Sequence, residues 1–247
     1  MNRPTGKYDV LSLCYIGLSL FGLGILAFLT FTFKASVRNF PLQRELTGSI
    51  FAAICLQGIV VGVTPSSCSR ILHLRGRGND PEKTGQKDLR ATLKFRGHHP
   101  TCGNFSAHVL QVRGKTYCAG CSGLVTGAII SLTGNFLYFF AGLNFGGAGF
   151  FVFGVGSVGV VFGLLQHHIF KGRGASRFFS NVIFASGAFL ILVGVNELTG
   201  SLLLECYLFT LIIYWIITRI MLSKLEHNKI CAACGLKLCN FPQKGKF

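Results

Sequence analysis

The sequence predicts an all-α membrane protein of six transmembrane helices, with a small Cys- and His-bearing β-hairpin inserted between the second and third. Three observations carry this prediction. Long windows lack any charged residue, Lys and Arg are distributed one-sidedly, and one compact stretch, His98 to Gly123, concentrates ligand-type side chains. Half of the 247 residues are hydrophobic and only 13% are charged, against roughly 25% charged in soluble domains. A chain whose outer face meets lipid needs that much apolar surface; a soluble core of this size does not.

The windows set the elements in order. No Asp, Glu, Lys or Arg occurs from Val10 to Phe33, from Leu46 to Ser69, from Thr116 to Phe170 or from Phe178 to Asn196. A last apolar run, Leu202 to Met221, carries Glu205 near its start and Arg219 near its end. A span takes about 20 apolar residues, so the Thr116–Phe170 window holds two, broken at "AGLNFGG" (Ala141 to Gly147). The expected helices are 10–33, 46–64, 121–141, 147–166, 179–196 and 202–221. The first is too long for a signal-peptide core of about 7–15 residues and lacks a small-x-small cleavage site, so it reads as an uncleaved anchor.

The net charge of +16 is read as topology and not as a nucleic-acid footprint, because no aromatic-interleaved basic signature accompanies it. With both termini cytoplasmic, all Lys and Arg except Lys34, Arg38 and Arg44 fall inside, as the positive-inside rule demands of a multi-pass cell-membrane protein. The chain then divides into a first transmembrane hairpin (1–69), a basic polar linker (70–97), the Cys/His module (98–123), four transmembrane helices (124–221) and a cytosolic Cys-rich tail (222–247). Thiols on the cytosolic side stay reduced, so clustered ones read as metal ligands or redox groups instead of disulfides. Cys14, Cys55 and Cys206 lie within spans and read as small buried hydrophobes.

Within the module, "HPTCG" offers His99 and Cys102, and "YCAGCSG" offers Cys118 and Cys121. Each pair is three apart with Gly one or two residues after the second member, a spacing that turns both side chains toward one ion. Val109, Val112 and Tyr117 have strand character and "RGK" supplies a turn between them. Knuckle, hairpin, knuckle over about 25 residues resembles a zinc ribbon, with His99 where ribbons carry Cys. The expected insert is thus a zinc-ribbon-like β-hairpin. His99, Cys102, Cys118 and Cys121 fill all four tetrahedral positions, so the zinc reads as structural and not catalytic. His98 is an alternative to His99 as ligand, and His108 reads as a surface or supporting residue.

The tail repeats the theme with His227, Cys231, Cys234 and Cys239. Three readings stand: a second zinc on these four, a Cys₄ site joining Cys231 and Cys234 to Cys118 and Cys121, or an iron–sulfur cluster on the thiolates. Imidazoles in both sets favour zinc.

The run "CAGCSGLVTGAIIS", leading from a cysteine pair directly into an apolar helix, resembles an uncharacterised family of predicted prokaryotic membrane proteins. In that family a C-x-x-C-[ST]-G-[IL] motif opens a transmembrane helix after a Cys/His-containing segment. The resemblance covers about 98–135, and "HHPTCGNF" departs from the family's Cys-His order. It implies the topology and the metal motif and carries no activity.

Three functions are compatible with this reading. One is a binding, regulatory or assembly role in which the module meets a cytosolic protein partner. Another is a small-molecule or ion transporter gated or braced by the module, and the third is a membrane thiol-redox enzyme. No GxSxG, HExxH or phosphate loop is present. Transport would show as a polar cavity lined by Gln57, Asn135 or Asn181; a dry glycine-packed bundle would favour binding. Ionisable groups at midplane are scarce, with Glu197 and Glu205 toward the outer end and Arg219, His167 and His168 toward the inner one. Gly123/Gly127 and Gly159/Gly163 have GxxxG spacing, with Gly154 and Gly156 nearby, and suit close helix packing or a homo-oligomer.

Overall fold

The computed structural model describes residues 5–32, 42–63, 95–96, 99–100, 105, 108–112, 115–169 and 174–233, with side chains at a few element ends excepted. Six helices in it are long and apolar enough to cross a membrane. They are α1 (Thr5–Thr32), α2 (Gln43–Val63), α3 (Ala119–Asn135), α4 (Gly149–Ile169), α5 (Gly174–Thr199) and α6 (Leu202–Ala233). A π-helical turn, Phe136–Phe140, prolongs α3. Large side chains such as Phe21, Phe28, Phe150, Phe151, Val158 and Leu203 point outward, as a lipid-facing surface requires.

The helix count agrees with the sequence prediction, and one boundary departs from it by three turns. The last helix runs to Ala233 instead of ending near 221. "MLSKLEHNKICAA" is rich in helix formers, and after Gly200 no Gly or Pro occurs before Gly235. Nothing in the chain therefore stops the helix where its apolar stretch ends. The start of the expected tail is thus helical, and it carries His227 and the backbone of Cys231.

The helices alternate in direction. Asp9 at the start of α1 pairs with Lys229 near the end of α6, and the backbone of Gly174 at the start of α5 meets Val109 of the insert. At the far end, Phe31 of α1 meets Phe150 of α4 at 5.2 Å between ring centroids. There Gln43 of α2 also donates to Gly200 O at 2.9 Å. Gly200, at φ 54°, takes the left-handed conformation that ends α5 and lets α6 turn back within two residues.

At the centre stands α5, whose Ile191 to Val195 are all buried. Glycine sets how closely its neighbours approach. A Cβ on Gly187 would lie 2.8 Å from Gly156 O, and one on Gly156 would lie 2.7 Å from Gly187 O, so α4 and α5 touch backbone to backbone. Gly127 of α3 meets Val182 and Ala185 of α5 in the same way, Gly123 meets Phe178, and Gly163 of α4 meets Phe184. Both GxxxG faces are thus filled from within the chain, whereas Gly154 has open space beside it.

The insert forms two small antiparallel pairs. β1 (Phe95–Arg96) pairs with β2 (His99–Pro100). β3 (Val109–Val112) pairs with β4 (Lys115–Cys118) in the register Val109↔Cys118, Leu110↔Tyr117. The expected hairpin is therefore present, and α3 starts at the residue after its second strand.

Candidate functional site at the hairpin end

Cys118 ends β4 and occupies the N-cap of α3, with φ −69° and ψ 120°. Cys121 lies in the first turn of that helix. The pair thus straddles a strand-to-helix junction and does not close an isolated loop, which is where it departs from the expected knuckle. The three-residue spacing still puts the two side chains on one face of a helical turn. Cys118 is buried and Cys121 half-buried.

The other expected ligands are less fully placed. His99 sits in β2 opposite Arg96, but its side chain, like that of Cys231, is outside the described residues. Cys102, Cys234, Cys239 and His98 lie outside them entirely. His227 is described, on α6. Among the described residues no three of His, Cys, Asp or Glu converge on one ion position. Cys118 and Cys121 are thiols, donors of the type that tetrahedral zinc takes.

Of the two sequence readings of His108, surface or supporting residue, burial excludes the first: it is 6% exposed. Its ring packs against Phe105 (5.5 Å) and His227 (5.7 Å), and Phe105 also meets His227 at 5.4 Å between centroids. Arg177 Nη1 of α5 lies 3.3 Å from His108 Nδ1, and Glu226 Oε1 of α6 lies 3.9 Å from His108 Nε2. Arg177 also grips both oxygens of Glu226. This fork-to-carboxylate geometry fixes orientation as well as charge. The segment before β3, the start of α5 and the extension of α6 therefore converge on one half-buried ion pair. The sequence does not reveal this arrangement because Arg177, Glu226 and His227 are far from His108 along the chain.

One layer deeper lies Arg219, also buried. It donates to Gly163 O of α4 at 2.6 Å and to Asn181 Oδ1 of α5, with Phe184 beneath its guanidinium at 5.4 Å. With its amide oxygen turned inward, Gln166 accepts from both terminal nitrogens at 2.8 and 2.6 Å. Asn181 in turn donates to Arg177 O at 2.8 Å.

The opposite end holds a second polar cluster that sequence reasoning missed. Glu205 is fully buried. It accepts from Thr47 (2.6 Å), Asn196 (2.6 Å) and Gln43 (3.3 Å). Asn196 Oδ1 and Glu197 both stand within hydrogen-bond reach of the Tyr138 hydroxyl, at 2.9 and 2.8 Å. Arg44 lies over the Tyr138 ring at 4.5 Å. Glu205 was visible as a charge near the start of the last span, but its neutral partners from α2 and α5 have no signature.

The residues that would line a transport cavity are engaged in helix contacts or face outward. Asn135 donates to Gly48 O at 3.0 Å, Asn181 is tied to Arg177 and Arg219, and Gln57 is exposed on the flank of α2. Compared with known proteins, the chain matches no family model, no curated protein and no solved structure.

Proposed function

We propose that this chain is a multi-pass cell-membrane protein in which a zinc-stapled module at one end serves binding or regulation. The module, on the cytoplasmic face, presents a rigid surface to a cytosolic protein partner. Zinc is held first by His99, Cys102, Cys118 and Cys121, with His227, Cys231, Cys234 and Cys239 as a second set. Bound there, zinc supplies no reaction step; it cross-links a short segment that has little core of its own, and such sites contribute on the order of 10 kcal/mol to folding in small zinc peptides.

One observation supports binding over transport: the bundle is packed on glycine, with α4 and α5 in backbone contact at Gly156 and Gly187. The two candidate cavity residues Asn135 and Asn181 are engaged in helix-to-helix hydrogen bonds. A wall built this way has little freedom to open a path.

Elemental analysis of the purified chain tests the reading, with one or two zincs per chain expected. Cys118→Ser and Cys121→Ser should each release zinc from the first site and expose the hairpin to protease. Iron with visible absorbance would replace zinc by a cluster. A metal-free, reversible Cys118–Cys121 disulfide would point to thiol-redox work instead.

A further inference from the structure

We propose that the β3–β4 hairpin is a transmission element, coupling metal occupancy at Cys118/Cys121 to the Arg177–Glu226 ion pair that joins α5 to α6. The proposal rests on the zinc reading above and adds a regulatory path to it.

The geometry is a chain of adjacent contacts. Cys118 is the register partner of Val109, and directly opposed residues in an antiparallel pair lie only about 4.5–5.5 Å apart. Val109 O rests on the backbone of Gly174, where a Cβ would collide with it, so β3 is pressed onto the first residue of α5. His108, the residue before Val109, meets Arg177, three residues along α5 from Gly174. Positions three apart share a helix face, so strand and helix touch at two successive points. Arg177 then holds Glu226 on α6.

A shift of Cys118 on gaining or losing metal is therefore felt one register pair away, where β3 cannot move toward α5 without a backbone clash. Its freedom is to lift away, which separates His108 from Arg177 and Glu226. Occupied metal favours the seated hairpin, and the seated hairpin favours the ion pair. By linkage the effect is reciprocal: weakening the ion pair must weaken metal binding by the same factor.

The test is zinc competition with a chromophoric chelator on the full chain in detergent micelles. Arg177→Met and Glu226→Gln leave all eight candidate ligands in place. Each is expected to lower zinc affinity at the first site on the order of tenfold while leaving stoichiometry unchanged. The double variant should bind no more weakly than the weaker single, because both break one contact. Wild-type affinity in both singles overturns the coupling and leaves the zinc reading standing. A wild-type chain without zinc overturns both. Lost stoichiometry in place of lowered affinity also overturns the coupling. Should either variant misfold, His108→Phe keeps the ring contacts to Phe105 and His227 but loses the polar ones. Weakened zinc binding there supports the coupling, and wild-type affinity overturns it.

Discussion

Glu205 is held by three neutral donors from two other helices, and among the described residues no cation stands within ion-pair distance of it. Such a carboxylate joins α2, α5 and α6 at one point. Truncation would leave the Thr47 hydroxyl and the Asn196 amide facing a void. Hydrogen bonds between membrane helices average only about 0.6 kcal/mol, but stranding buried donors adds about 1–3 kcal/mol each. Glu205→Ala is therefore expected to destabilise the bundle by about 3 kcal/mol, and Glu205→Gln, which keeps shape and one acceptor, by about half as much. Thermal unfolding in micelles would show the order; equal midpoints for Ala and wild type would mean the cluster holds nothing together. This residue also marks where the sequence stops being legible. Cys118 and Cys121 stand out by their spacing of three, which is what makes them candidate ligands. Glu205 owes its Thr47 and Gln43 contacts, and His108 its Arg177 and Glu226 contacts, to residues about 70 to 160 positions away, and partners that distant leave no local pattern to find.

Between elements, the hydrophobic effect offers no drive once both helices are in lipid, so association depends on how closely surfaces fit and on interhelical bonds. The α4–α5 contact tests this. A methyl on Gly187 meets Gly156 O and Val160 N, both backbone, at 2.8 and 3.0 Å; a methyl on Gly154, on the same α4, meets nothing within 4 Å. Gly187→Ala is expected to lower stability by about 2 kcal/mol, since neither backbone atom can step aside alone. Gly154→Ala should be neutral or stabilising by up to about 1 kcal/mol, through helix propensity. Paired unfolding curves would separate the two, and equal effects would show that the close approach does not govern stability. In the sequence, GxxxG spacing marks Gly159 and Gly163, with Gly154 and Gly156 nearby, without saying which is in contact, and nothing marks Gly187 of α5. Likewise, apolar windows located six helices to within a turn or two, but the end of α6 depended on the absence of a breaker and not on hydropathy.

At the scale of the whole molecule, the alternation of helices puts the start of α1, the hairpin and the extension of α6 at one end, and the Gln43, Tyr138 and Glu205 cluster at the other. In the sequence, Lys34, Arg38 and Arg44 are the basic residues that the charge bias expects outside. The bias sets orientation during insertion, when Lys- and Arg-rich loops are retained on the cytoplasmic side. The hairpin end is thus expected inside and the Glu205 end outside. Two exposed positions read this out. Asn144 lies in the loop between α3 and α4 at the Glu205 end, and Asn228 lies on the α6 extension at the hairpin end. In a background with the native cysteines at exposed positions replaced and the metal-ligand cysteines kept, Asn144→Cys should react with an impermeant maleimide on intact cells. Asn228→Cys should react only after permeabilisation. The reverse pattern would put the Cys/His module outside the cell. Its thiols would then meet an oxidising compartment, where paired cysteines close into disulfides, and the case for zinc would fall along with the orientation.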